Sequence, residues 1–191
     1  YHEILIRWFQ WGAFNPIFRV HGYQSETEPW KYGNKVEENI RKVLHLRYRL
    51  LPYIYSMAWE ITKYGRMMMR PLVMDFSFDE EALKQPYEYM FGKSILVAPV
   101  IESGIKEQKI YLPEGTDWYD FWTREKYQGR QIINKKLSLD IIPLFIKAGT
   151  ILPIGPEIQY TAEKKWDTLE IRIYEGADGE FTLYEDEGNN Y

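Results

Sequence analysis

The stretch that decides the fold reads RWFQWGAFNPIFRVHG and runs from Arg7 to Gly22. The apolar residues around its first half recur at helical spacing and are Ile4, Leu5, Trp8, Trp11 and Gly12. Pro16 cannot continue such a helix, because it lacks an N–H and its ring clashes with the preceding turn. Asn15 is pushed towards extended geometry by that proline. Residues 17–21 then form a β-prone run, so the stretch predicts a helix, a turn and a short strand.

Two polar side chains at the end of this predicted strand are candidate functional groups. Successive side chains of a strand alternate between its faces, so Arg19 and His21 share one face. Long polar side chains rarely face a core unless a polar group meets them. A histidine ring offers a donor and an acceptor to a ligand. From the residues alone, however, a buried histidine bonded to the backbone is the favoured interpretation.

Composition limits the classes of function that fit the chain. Its 191 residues carry a net charge of −4 with no long basic run, so a nucleic-acid partner is not expected. The absence of cysteine excludes disulfides, zinc–thiolate sites and cysteine nucleophiles. No apolar run reaches the roughly 18 residues of a membrane span. The chain begins inside an amphipathic pattern and without Met, which predicts the tail of a longer polypeptide.

The longest periodic element covers residues 35–64 and predicts a helix. Its apolar stripe consists of Val36, Ile40, Val43, Leu44, Leu50, Leu51, Ile54, Ala58 and Ile61. Pro52 lies inside this pattern, so a kink is expected near residues 48–51. Gly65 predicts the end of the helix.

From Ser94 onward the chain changes to short β-rich runs separated by turns. The runs are Ser94–Val100, Gln108–Leu112, Trp118–Phe121, Gln131–Leu139, Leu144–Ile146 and Thr150–Leu152. Such spacing is typical of an antiparallel sandwich, and helix is expected mainly before residue 66. Residues 169–174 and 181–184 both alternate, and the turn signal at 177–179 between them predicts a hairpin. Two strands alone are marginal, so this hairpin should continue beyond the chain or borrow partners.

Few side chains match a known catalytic or metal-binding pattern. The sequence contains no P-loop, G-x-S-x-G or H-E-x-x-H motif. Glu185 and Asp186 are adjacent carboxylates, but neighbouring strand residues face opposite ways, so a turn role is favoured over a catalytic pair. A calcium site that adds Asp178 is conceivable, yet the spacing matches no defensible loop. We therefore expect no metal and no cofactor.

Ordered motifs along the chain resemble those of one known enzyme family. The first is R-W-x-Q-x-G-A-F-x-P-x-x-R-x-H, which spans Arg7 to His21. The others follow in order and are Leu46–Tyr55, Arg70–Leu72, Phe91–Val100, Tyr111–Pro113, Trp118–Trp122, Ile142–Gly149 and Leu183–Gly188. The set is similar to the C-terminal portion of glycoside hydrolase family 31, which contains α-glucosidases and α-xylosidases on a (β/α)8 barrel.

This resemblance implies an α+β fold with three parts. Residues 1–75 would be the last strand and helix of the (β/α)8 barrel. Residues 76–156 would be a proximal antiparallel β-sandwich, and residues 157–191 the start of a distal β-domain.

The resemblance also implies a function, namely that of the C-terminal part of a retaining α-glycosidase acting on terminal α-linked xylosyl or glucosyl residues. In the family both catalytic carboxylates are aspartates on upstream barrel strands, so no catalytic residue is assigned here. A histidine at the place of His21 hydrogen-bonds hydroxyls of the bound sugar. Arg19 would hold a catalytic carboxylate or a sugar hydroxyl. Trp30, in the loop that follows, would either offer a ring on which a sugar can stack or pack the loop onto the next helix.

Two other functions stay open at this point. One is a non-catalytic carbohydrate-binding or scaffold protein that retains this tail, and the other is an α-glucan lyase of the same family. The choice between xylose and glucose is also open, with a general likeness of the loop 22–33 favouring α-xylosidases. The expected partners are a carbohydrate substrate and the upstream part of the same polypeptide.

Overall fold

A computed structural model of the chain describes residues 1–23 and 26–188. Its helices are α1 His2–Gly12, α2 Asn34–Arg49, α3 Leu51–Tyr64 and the short α4 Leu72–Asp75, with 3-10 turns at Pro29–Tyr32 and Ala82–Lys84. Its strands are β1 Met69–Pro71, β2 Tyr89–Phe91, β3 Ile95–Val97, β4 Glu107–Leu112, β5 Trp118–Asp120, β6 Lys126–Tyr127, β7 Gln131–Lys136, β8 Leu144–Lys147, β9 Ile151–Ile154 and β10 Glu170–Ile173. The predicted α+β class is confirmed, with most helix before residue 66. None of the helices in the described ranges has the length and apolar character needed to span a membrane.

The predicted helix at the start is present as α1, but the predicted strand at residues 17–21 is wrong. The chain there is irregular, and no backbone hydrogen bond joins it to another described segment. A β-prone sequence becomes a strand only when a neighbouring strand takes up its N–H and C=O groups. No such neighbour lies alongside this run within the described ranges.

The interruption predicted at Pro52 separates two helices. Leu50 between α2 and α3 has φ −84° and ψ 0°, and Pro52 stands in the first turn of α3. Its ring and missing N–H are tolerated there, whereas they would break a helix interior. The proline therefore starts a new helix where a single kinked helix was expected. Gly65 ends α3 with φ +66°, as predicted, and its N–H donates to the carbonyl of Ile61 at 2.9 Å.

Three antiparallel sheets form the rest of the chain. The largest has the strand order β1-β2-β3-β8-β5-β6, while β4 pairs with β7 and β9 with β10. The large sheet is buried on both faces, as alternate residues of β3 illustrate. Ile95 and Val97 pack in the core that includes Tyr53 of α3, whereas Leu96 packs with Ile110 of β4. The sheet is therefore a central layer between the helices and the β4–β7 pair.

The predicted hairpin near the end of the chain is wrong. β10 pairs with β9, in the register Glu170 opposite Ile154, and residues 181–184 form no strand. These residues cover α3 instead: the ring of Phe181 stacks on Tyr53 at 5.8 Å, and that of Tyr184 on Trp59 at 5.2 Å. The strand borrows its partner from the region before it, and the rings of Phe181 and Tyr184 pack on α3. The predicted unit boundaries at residues 75 and 156 stay predictions.

Candidate functional site

The structure brings two of the three predicted site residues together. Nη2 of Arg19 lies 3.1 Å from Nδ1 of His21, and both side chains are exposed. The expectation that they share one face is met, although the segment is not a strand. Trp30 stands apart in the 3-10 turn Pro29–Tyr32 with a residue exposure of 63%. Within the described ranges, no hydrogen bond or ring contact joins it to the other two.

The contact between the two side chains fixes what they offer to a ligand. A guanidinium can only donate hydrogen bonds, so Nδ1 of His21 is the acceptor. The neutral imidazole then carries its proton on Nε2, which remains available as a donor. Arg19 keeps its other N–H groups. The pair therefore presents several N–H donors in one place, which suits hydroxyl oxygens or a carboxylate.

Phe18 fixes the segment from the side of α1. Its ring packs edge-to-face on Phe9 at 5.8 Å. A Cβ added at Gly12 would meet the Phe18 ring at 3.0 Å, so the absence of a side chain there lets the ring approach the helix. Phe18 is thus a packing anchor directly before Arg19. The glycine of the G-A-F part of the motif is Gly12, and it leaves room for the Phe18 ring.

Arg47 of α2 fixes the same segment by hydrogen bonds. Its guanidinium donates to the carbonyls of Ala13 at 2.7 Å, Asn15 at 2.8 Å and Pro16 at 3.3 Å. Burial lowers the pKa of Arg47, but an arginine stays charged under ordinary conditions. These bonds satisfy carbonyls that the end of α1 and Pro16 leave without helical partners. Arg47 therefore sets the path of the chain towards His21.

Phe14 completes the anchoring between these two contacts. It is fully buried, and its ring meets Phe91 of β2 at 5.6 Å in an edge-to-face arrangement. The hydroxyl of Tyr89 donates to the Phe14 carbonyl at 3.1 Å, and burial raises the pKa of that tyrosine well above its usual range. The segment is thus attached to the β-region as well as to the helices.

Arg7 and Gln10, the first polar residues of the same motif, serve the fold. Arg7 is buried, and its Nη1 donates to the carbonyls of Ser138 at 3.0 Å and Ile141 at 3.1 Å. Nε2 of Gln10 donates to the carbonyl of Leu139 at 2.8 Å. They join α1 to the loop between β7 and β8. The first half of the motif, with Arg7 and Gln10, holds the fold together, and its last part exposes Arg19 and His21.

The carboxylates near the end of the chain have structural partners. Asp186 accepts hydrogen bonds from the hydroxyl of Tyr55 at 2.7 Å and from the N–H of Gly188 at 2.9 Å. The bond from Tyr55 lowers the pKa of Asp186. Among the described residues, no group of three or more acidic, histidine or cysteine side chains could hold a metal ion. The turn role favoured from the sequence fits this arrangement.

Two models of one protein family match successive parts of the chain. The model of the "Glycosyl hydrolases family 31 TIM-barrel domain" matches residues 1–57. The model of the "Glycosyl hydrolase family 31 C-terminal domain" matches residues 65–152. The chain therefore belongs to glycoside hydrolase family 31.

Individual relatives agree with this family. An alpha-xylosidase of Saccharolobus solfataricus is 47% identical over 191 residues, which is 100% of this chain and 26% of the relative. Alpha-glucosidase 2 of Bacillus thermoamyloliquefaciens is 34% identical over 194 residues, covering 99% of this chain and 24% of the relative. The crystal structure of a GH31 alpha-xylosidase from Xanthomonas citri superposes with a TM-score of 0.93 at 40% identity, covering 98% of this chain and 21% of that one. The chain thus spans about a quarter of the length of the curated relatives it matches.

Proposed function

We propose that the chain is the C-terminal part of a retaining α-glycosidase that hydrolyses terminal α-linked xylosyl or glucosyl residues. The observation that carries the proposal is the exposed Arg19–His21 pair at the end of a segment held by buried anchors. Donors that are already in place lose little freedom when a sugar binds. The names of the relatives support these two sugars, and the higher identity to the alpha-xylosidase, 47% against 34%, favours xylosyl.

In this proposal the residues of the chain bind and orient the sugar. Nε2–H of His21 donates to a sugar hydroxyl, and Arg19 donates to a second oxygen or to a catalytic carboxylate. The carboxylates come from the upstream part of the polypeptide, and in retaining enzymes they stand about 5–5.5 Å apart. The exposed ring of Trp30 offers a surface for a further sugar unit.

The proposal is tested by His21→Ala in the complete polypeptide. Hydrolysis of p-nitrophenyl α-xyloside and α-glucoside is measured, with His2→Ala, an exposed histidine of α1, as the matched control. We expect kcat/KM of His21→Ala to fall by about 10²–10³, the effect of losing one preorganised donor to the transition state. The covalent glycosyl-enzyme should still form, because the nucleophile lies elsewhere, and mass spectrometry with a slow fluorinated substrate detects it.

Three results would contradict the proposal. Unchanged kinetics of His21→Ala together with a lower melting temperature would make His21 a structural residue. Absence of hydrolysis by the complete polypeptide on both substrates would favour a non-catalytic carbohydrate-binding protein. Formation of an unsaturated sugar product in place of the free sugar would identify a lyase.

A further inference from the structure

A second cleft lies between α2 and the β-region. It has a volume of about 630 Å³, within the range of roughly 300–1,000 Å³ that is typical of small-ligand sites. Its walls come from α2, from the loop after β5 and from the loop before β8. None of its lining residues belongs to the segment 17–23 that carries Arg19 and His21.

Trp122 gives this cleft a fixed aromatic wall. Its Nε1 donates to the carbonyl of Ile142 at 2.8 Å, and its ring meets Phe121 edge-to-face at 5.0 Å. The residue is nevertheless 37% exposed. Because the polar atom of the indole is already satisfied, the exposed part of the ring is an apolar face. Such a face suits the C–H groups of a sugar ring.

Three polar side chains at the cleft have no partner among the described residues. They are His45 of α2, Arg124 after β5, and Glu157 after β9. Together they offer N–H donors from the guanidinium, acceptor oxygens from the carboxylate, and a donor and an acceptor on the imidazole. A ligand with several hydroxyl groups can use both kinds, since each hydroxyl donates and accepts.

The side chains of the cleft that lack an ion-pair partner favour a ligand that both donates and accepts hydrogen bonds. The other charged side chains of the cleft lie in the ion pairs Lys42–Asp140, Arg49–Glu170 and Arg172–Glu170. Two arginines share the one carboxylate of Glu170, so these pairs keep a surplus positive charge beside the cleft. The two unpaired charges, on Arg124 and Glu157, have opposite signs. An anion such as phosphate would meet the glutamate, and a cation would meet the arginine. A polyhydroxyl ligand meets neither penalty.

The backbone at Arg124 sets where its side chain leaves the loop after β5. Arg124 has φ +63°, a left-handed conformation that is uncommon for a residue other than glycine. Its N–H donates to the carbonyl of Asp120 at 2.9 Å, which closes the turn after β5. Glycine would adopt this conformation without strain. The chain carries a long cationic side chain there instead, directed by the turn to the wall of the cleft.

We propose that this cleft is a second carbohydrate-binding site, which takes one or two units of a short α-linked oligosaccharide with Trp122 as the stacking ring. The proposal goes beyond the hydrolytic function and takes from it only that the protein meets such oligosaccharides. Arg124, His45 and Glu157 would hydrogen-bond the hydroxyl groups at the edge of the stacked sugar.

The test measures binding when the hydrolytic site is occupied. The complete polypeptide is first blocked with a covalent fluorinated glycosyl inhibitor and then titrated with maltotriose by calorimetry. We expect one remaining binding event that Trp122→Ala weakens by about tenfold or more, as truncation of a central aromatic contact does. Arg124→Gly should weaken it several-fold without harm to the fold, because glycine relieves the positive φ. Trp8→Ala, an exposed tryptophan of α1 outside the cleft, should leave binding unchanged.

The outcomes separate this proposal from the proposed hydrolysis. If the blocked enzyme binds no maltotriose although it hydrolyses substrate before the block, the cleft proposal is overturned. Binding that is unaffected by both Trp122→Ala and Arg124→Gly, or binding of inorganic phosphate in place of the sugar, overturns it as well. If the polypeptide shows no hydrolysis, the block is omitted and sensitivity of binding to Trp122→Ala still supports the cleft. Should Trp122→Ala fail to fold, Arg124→Gly decides.

Discussion

At the scale of single residues, one guanidinium determines how the candidate site is presented. Arg47 donates to three carbonyls within the turn that leads to Arg19 and His21. Hydrogen bonds from a charged donor are each worth more than neutral ones, about 1.5–3 kcal/mol. A turn that contains Pro16 has few other ways to satisfy these carbonyls inside the protein. Arg47 is therefore a positioning residue for the exposed pair.

We predict that Arg47→Ala lowers the free energy of unfolding by about 1–3 kcal/mol, because two part-buried carbonyls and one exposed carbonyl lose their donor. In the complete polypeptide kcat/KM should also fall, and Arg47→Lys should restore part of it, since an ammonium can reach some of the same carbonyls. The matched control is Arg41→Ala on the same helix, whose exposed ion pair with Glu37 is worth about 0.5 kcal/mol or less. Equal losses for the two variants in denaturant unfolding would contradict this role.

A second residue, Glu88, is a buried carboxyl group that the sequence does not mark as special. It is 7% exposed, and its Oε1 accepts the N–H of Tyr111 at 3.0 Å. Its Oε2 has no hydrogen-bond partner among the described residues. Burial raises the pKa of Glu88 from 4.5 to about 8, so the group is neutral in the folded protein near pH 7. The buried carboxyl group lowers the stability of the folded protein when the pH is high enough to favour its ionised form.

The predicted pH dependence follows from this raised pKa. The folded state holds the proton more tightly than the unfolded state, so stability due to Glu88 is fully present below pH 4.5 and is lost as the pH rises to about 8. The loss is on the order of a few kcal/mol. Glu88→Gln keeps an acceptor for Tyr111 and cannot ionise, so its stability advantage over the wild type should grow between pH 5 and 8. Parallel stability curves for the two proteins would refute the assignment.

At the scale of elements, the turn between β2 and β3 depends on a glycine that faces α3. Gly92 has φ +64°, and a Cβ there would overlap the hydroxyl of Tyr53 and the sulfur of Met57. Gly92→Ala should therefore cost about 2–5 kcal/mol, the sum of left-handed strain and overpacking. Gly104→Ala is the matched control, since φ is +80° and no atom lies within 4 Å of the added Cβ. It should cost only about 1 kcal/mol in equilibrium unfolding, and equal costs would rule out the steric contribution.

The elements also explain which parts of the fold the sequence could predict. α1, the helical character of residues 35–64 and the end at Gly65 follow from local signals, namely periodicity and a glycine, whereas Pro52 divides that region into α2 and α3 where one kinked helix was expected. The strand at 17–21 and the hairpin at 169–184 were wrong because strand formation depends on a partner elsewhere in the chain. Residues 181–184 have the alternation of a strand, yet the rings of Phe181 and Tyr184 stack on Tyr53 and Trp59 of α3.

In the candidate site, too, the features set by neighbouring residues could be predicted and those set by distant residues could not. That Arg19 and His21 lie together could be predicted, because two residues separated by one position share a face of an extended chain. The role of Arg47 could not, since the motif Leu46–Tyr55 gives no indication that its guanidinium reaches back to residues 13–16. The family resemblance implied roles only for Arg19 and His21 of the first motif. Gln24 and Ser25, in the loop 22–33 whose general likeness favours α-xylosidases, lie outside the described residues.

At the scale of the whole molecule, the helical and β-rich parts are joined by a small buried polar network. Nη1 of Arg7 contacts Oε1 of Gln10 at 3.0 Å, and both side chains donate to carbonyls of the loop 138–141. Burial lowers the pKa of Arg7, and Glu3 opposes that shift. The Nε of Arg7 has no hydrogen-bond partner among the described residues, so the buried charge depends on the bonds of its Nη1. The position of α1 therefore depends on hydrogen bonds to the loop between β7 and β8.

A double-mutant cycle tests whether the network acts as a unit. Arg7→Met and Gln10→Leu should each lower the free energy of unfolding by about 2–3 kcal/mol, because each leaves partner groups buried and unpaired. The double variant should lose about 1–2 kcal/mol less than the sum, since some groups orphaned by one change are removed by the other. Arg7→Met combined with Arg41→Ala, which shares no partner with it, should be additive within about 0.5 kcal/mol. Additivity of Arg7→Met and Gln10→Leu would mean that α1 is held by two independent contacts, and that the buried charge gains nothing from its neighbour.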